Sequence, residues 1–187
     1  MNLQHPLQMI YSSRHGWEQL GQRHPSVLHS FVKIVLPASL FAGGMVLYTA
    51  TYHADSYAPG VPLQNWQQAS LILLLTSWLA VSLMAWVIRQ SVHASSRPAF
   101  ADCYRLAALV PLPIWLSAVS LLLPYPALNV LCALLGLAAS AGLLYHGLDA
   151  WFEHDDSVHT LSLAYTIFAI GALVWLFVVA LLLLPLL

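Results

Sequence analysis

Residues 161 to 187 read LSLAYTIFAIGALVWLFVVALLLLPLL, a run without one Asp, Glu, Lys or Arg. A helix needs about 20 apolar residues to cross the roughly 30 Å of hydrocarbon in a bilayer, and this run is longer. Toward the N-terminus, further apolar runs occupy about Leu128 to Phe152, Leu106 to Leu123, Ala69 to Ile88 and Phe31 to Tyr52. Backbone groups cannot stay unpaired in lipid, so runs of this length are helices. A membrane β-barrel would instead repeat alternating segments of about ten residues, and no such repeat is present. The expected fold class is all-α: a polytopic membrane protein whose five-transmembrane-helix bundle, residues 30–187, follows a short N-terminal cytoplasmic segment, residues 1–29.

Composition agrees with this reading. Sixty percent of the 187 residues are hydrophobic and 7% are charged, against about 25% charged in an ordinary soluble domain. A water-soluble fold of this composition would lack a polar surface. The formal net charge of −1 leaves no basic footprint for nucleic acid, so that class of partner is set aside. The two cysteines, Cys103 and Cys132, have neither the number nor the spacing of a disulfide framework or a zinc knuckle. The first 29 residues lack the basic start, apolar core and small-residue cleavage site of a secretory signal peptide. Within them, Trp17 to Leu28 has the scattered apolar positions of a short interfacial helix, which Pro25 would interrupt.

Orientation follows from the basic residues. Arg14, Arg23 and Lys33 precede or open the first run, and Arg89, Arg97 and Arg105 border the connection between the second and third. All six fall on one side, which the positive-inside rule makes cytoplasmic. The connections His53 to Gln68 and Pro124 to Ala127, and the C-terminal end, carry no Lys or Arg and are expected to face outward. By parity the acidic loop Glu153 to Thr160 is cytoplasmic, and Cys103 should be open to labelling from that side. Pro111 and Pro113 interrupt the third run and predict a kink near its start, since each removes a backbone donor. Pro124-Tyr125-Pro126 reads as a tight turn.

Span centres contain no ionisable side chain, which weakens an ion-coupled transporter reading. The densest polar cluster runs from His146 through Asp149, Glu153, His154, Asp155, Asp156 and His159. His146, Asp149 and Glu153 would share a helix face at spacings of three and four, and with His154 they form a candidate divalent-metal set. A hydrated acidic connection between two spans would contain the same residue types. Ser39, Ser77, Ser117, Ser120 and Ser140 lie in apolar runs without a histidine and carboxylate at similar depth, and are expected to hydrogen-bond between helices. The fourth run carries two small-residue pairs, Gly136 with Ser140 and Ala138 with Gly142, suited to close packing inside the bundle or in a homo-oligomer.

The order of short motifs carries a family resemblance. His5-Pro6 and Trp17-Glu18 precede a first span opening with Leu36-Pro37. The third run contains Ala108-Leu109-Val110-Pro111-Leu112-Pro113-Ile114-Trp115-Leu116-Ser117, followed by Leu123-Pro124 and Leu144-Tyr145-His146-Gly147-Leu148. Over nearly its whole length the chain resembles the Yip (Ypt-interacting protein) family, and more narrowly the small bacterial YohC-like branch of five-span inner-membrane proteins. The resemblance implies a bacterial inner-membrane location and marks Pro113, Tyr145 and Gly147 as a shared core without an assigned chemical role. Eukaryotic Yip proteins contact Rab-type GTPases and carry an Asp-Leu-Tyr-Gly-Pro motif. That string is absent here, so a GTPase partner does not carry over.

Two classes of function compete. A non-enzymatic membrane scaffold or interaction protein, with no cofactor and with the bilayer, a second copy or another membrane protein as partner, fits the empty span centres and small-residue surfaces. A small channel, carrier or lipid-handling protein fits the broken third helix. A continuous polar cavity reaching Pro113 would favour transport, and a tightly packed bundle would favour scaffolding. No paired carboxylates or nucleophile-base pair at membrane depth points to an enzyme.

Overall fold

Five helical spans are defined in a computed structural model that describes residues 26–92, 98–151 and 157–187: span 1 Val27–Tyr52, span 2 Leu63–Ser91, span 3 Phe100–Leu122, span 4 Pro126–Trp151 and span 5 Leu161–Leu186. No strand occurs among the described residues. Of the N-terminal segment 1–29, residues 1–25 lie outside them, and with them most of the interfacial-helix reading of Trp17 to Leu28; Val27 and Leu28 belong to span 1.

Prolines set the irregularities. Pro37 has no N–H to give the Lys33 carbonyl and its ring crowds that carbonyl. The preceding turn, Phe31–Val35, widens to a π-helix in which the Leu36 N–H reaches the Phe31 carbonyl. Gly60 takes φ 79°, a left-handed conformation that suits glycine in the turn entering span 2. In span 3 the α-helix Phe100–Leu109 stops, Val110 and Pro111 form a turn, and helix resumes over Leu112–Ser117 before a 3-10 end, Ala118–Leu122. Residue 109 lies four before Pro113, whose ring excludes a helical carbonyl there. Pro113 itself sits in the first turn of the new segment, where a missing N–H costs little.

The break was expected near the start of the third span, but it lies in the middle. The helix begins at Phe100, ahead of the expected Leu106, and passes through Asp102 and Arg105. Arg105 is only 8% exposed and lies 5.5 Å from the Trp151 ring of span 4, so packing draws this polar stretch into the bundle. Cys103, expected to be open to labelling from the cytoplasmic side, is fully buried in the bundle.

Span 2 packs on span 1, the first half of span 3 and span 5; span 4 packs on the second half of span 3 and on span 5. The main core joins Val35, Ile88, Leu106, Leu148 and Ile167 across all five spans. Span 1 meets span 2 closely at Gly43, whose carbonyl accepts from Ser70 Oγ at 3.0 Å, and Trp78 Nε1 donates to Ser39 Oγ at 3.0 Å. Outward faces are apolar: Leu79, Leu173 and Phe177 are each about two-thirds exposed or more, a surface made for lipid rather than water. Val27–Ser30 lies against Phe100–Leu109. The described cations Lys33, Arg89 and Arg105 therefore gather toward one end of the bundle.

Candidate functional site

A cavity lies beside the break in span 3. Span 5 rests on spans 2 and 4, and between it and the broken helix remains a cavity of about 160 Å³. Its walls are Met84 and Ile88 of span 2, Pro111, Ile114 and Trp115 of span 3, Leu144 of span 4, and Phe168, Gly171 and Trp175 of span 5, among others. The wall is almost wholly apolar; Ser77 and Ser140 supply its hydroxyls. Ser140 Oγ already donates to the Gly136 carbonyl at 3.0 Å. A neutral wall with two hydroxyls has too few polar groups to replace the hydration shell of an ion.

Gly136 fixes the opposite side of the break. A Cβ placed there would stand 2.8 Å from the Pro113 carbonyl oxygen and 3.1 Å from Ile114 Cα. Only glycine lets span 4 approach the backbone at the second half of span 3. Pro113 is thus part of a backbone-to-backbone contact and does not line the cavity. Tyr145 is half-buried against the core and Gly147 is buried, both on the last turns of span 4.

At the end away from the cations, span 1 and the short helix after it, Ala54–Tyr57, clasp the carbonyls at the end of span 3. Thr49 Oγ1 donates to the Leu121 carbonyl at 3.4 Å, His53 Nε2 lies 3.0 Å from that of Leu122, and Tyr57 donates to that of Leu123 at 2.9 Å. Three orphan carbonyls of a helix end are answered by three side chains spaced four apart. Burial pushes the Tyr57 phenol above its ordinary value, favouring the protonated donor. The spacing Thr49, His53, Tyr57 was the available signal, and the sequence reading missed it. Asn65 Nδ2 joins the same end to span 5 through the Pro185 carbonyl at 2.7 Å.

The serines divide. Ser39 and Ser120 do bond between helices, Ser120 to Asn129 of span 4 at 2.5 Å. Ser117 and Ser140 instead bond carbonyls of their own spans, at Ile114 and Gly136. In the proposed metal set, His146 is exposed with its ring 5.4 Å from that of Tyr145, and Asp149 is half-buried. Glu153 and His154 lie outside the described residues, as do Asp155 and Asp156. Among the described residues no three His, Cys, Asp or Glu side chains come together.

No curated protein and no solved structure matches the chain. The model of the Yip1 domain family matches residues 7–185, from the N-terminal segment to the last turns of span 5. With five membrane-length helices and a match over nearly its whole length, the chain belongs to the Yip1 domain family.

Proposed function

We propose that the protein is a non-enzymatic scaffold or interaction protein of the bacterial inner membrane, of the YohC-like branch, with its N-terminus cytoplasmic and its C-terminus periplasmic. The carrying observation is the outward small-residue surface of span 4. Ala138 and Gly142 are both exposed, and nothing stands within 4 Å of a Cβ placed on Gly142. Small residues at this spacing let a second helix approach closely in lipid, where packing rather than hydrophobicity drives association. The apolar cavity supports the same reading over transport, since it offers no polar path across the bilayer. Lys33, Arg89 and Arg105 at one end support the orientation.

The test is cross-linking in native membranes of a Cys103→Ser/Cys132→Ser background carrying Ala138→Cys or Gly142→Cys. Scaffolding through this face predicts a cross-linked dimer or a discrete adduct with another membrane protein. Monomer alone from both variants would sink the reading.

A further inference from the structure

The two hydroxyls in the wall of the cavity beside the broken helix differ in what they have left to give. Ser140 is 2% exposed, and its proton is already committed to the Gly136 carbonyl at 3.0 Å. Ser77 of span 2 is 5% exposed, lines the same cavity, and hydrogen-bonds no group among the described residues. A helical serine or threonine can settle on the carbonyl of the preceding turn. Ser82 does so at the Trp78 carbonyl and Thr49 at the Met45 carbonyl, each at 3.0 Å. Ser77 does not, and a hydroxyl held out of water without a partner is costly.

The chemistry of the wall selects what answers it. A charged group finds no counter-charge there. A hydrocarbon tail from the bilayer fills volume and leaves the hydroxyl unpaired. A water molecule needs two to four polar partners, and the wall offers it one uncommitted hydroxyl amid Met84, Ile114, Trp115, Phe168 and Trp175. A neutral molecule with one hydroxyl and an apolar body meets both demands. Its O–H matches Ser77 as donor and as acceptor, and its body lies against the apolar remainder. The volume, about 160 Å³, sets the size, since an apolar cavity near 150 Å³ takes up benzene. The rings of Trp115, Phe168 and Trp175 suit an aromatic body, through edge-to-face contact.

We infer that the cavity between spans 2, 3, 4 and 5 is a binding site for a small neutral hydroxyl compound of about the size of phenol, whose hydroxyl pairs with Ser77. The site needs the membrane fold and not the scaffold reading; cross-linking through span 4 and occupancy of the cavity succeed or fail separately.

The full chain in nanodiscs of phosphatidylethanolamine and phosphatidylglycerol is titrated with para-fluorophenol or with fluorobenzene and followed by fluorine NMR. The probes share a ring and differ by the hydroxyl, and protein-free nanodiscs give the partition of each into lipid. Beyond that partition the wild-type protein is expected to bind both saturably, para-fluorophenol about fivefold more tightly, the net worth of one neutral hydrogen bond. Ser77→Ala is expected to bind the two equally, and Ser77→Thr, which keeps the hydroxyl, to retain the preference. Gly171→Leu and, independently, Ala80→Leu send a side chain into the cavity and are expected to abolish saturable binding of both probes; the melting profile of each variant reports folding. The site is overturned by the absence of saturable binding to the wild type, or by undiminished binding in both filled variants. Equal binding of the two probes by the wild type, or a preference that survives in Ser77→Ala, overturns the hydroxyl pairing and with it the assigned ligand class.

Discussion

Spans 3 and 5 cross the same bundle in contrary ways. Span 5 is an almost unbroken helix whose faces mostly meet lipid; of its described side chains only Ala164, Ile167 and Val178 are buried. Span 3 is broken in the middle, ends in a 3-10 turn, and buries every residue from Cys103 to Ala108. The helix with the stronger hydrophobic signal is the one less engaged with protein. Lipid tails are as apolar as leucine, so hydrophobicity places a span in the membrane without pinning it to its neighbours. Close backbone approach, a stacked cation and capped carbonyls hold span 3.

The sharpest way to break the contrast is Gly136→Val, which drives a branched side chain into the Pro113 backbone. A loss of about 3 kcal/mol is expected, the upper part of the overpacking range, read as a lower melting temperature in mild detergent. A wild-type melt would mean that the two spans can separate freely. Arg105→Ala removes the cation stacked on Trp151 and is expected to cost about 2 kcal/mol, as for a desolvated cation–π pair; Arg105→Lys should recover part of it.

Pro113→Ala restores a donor to the Leu109 carbonyl and favours a straighter helix, which then fits the neighbouring spans less well. A loss of about 1 kcal/mol is expected despite the better helix propensity of alanine. An unchanged melt would assign the break to Pro111 alone. Tyr57→Phe, which frees the Leu123 carbonyl, is expected to cost about 1 kcal/mol or less. The smallest effect belongs to span 5: Leu173→Ala should change the melt by less than about 0.5 kcal/mol, because the lost contacts are with lipid. A large loss there would reveal a protein partner on that face.

Much of the fold was legible because hydrocarbon imposes a one-dimensional rule. Length and the absence of charge located all five spans, and the motifs around Pro113 and Tyr145 identified the family. The start of span 3 was misread because Asp102 and Arg105 look like loop residues until Trp151 is seen to cover the guanidinium. The two small-residue pairs of span 4 were indistinguishable in sequence. Gly136 and Ser140 face protein and are buried, whereas Ala138 and Gly142 face outward. The cavity beside the broken helix had no sequence signature, since its wall draws ordinary apolar residues from four separated segments.

Runs of residue types against a uniform solvent suffice to make the chain helical, to give it five membrane-length spans and to set Lys33, Arg89 and Arg105 toward one end. Only the tertiary structure decided which apolar residues meet protein and which meet lipid, that a cavity lies beside the proline break, and that Thr49, His53 and Tyr57 close the end of span 3. Those outcomes depend on helix rotation and approach, and a hydrocarbon environment is too uniform to encode either in hydrophobicity alone.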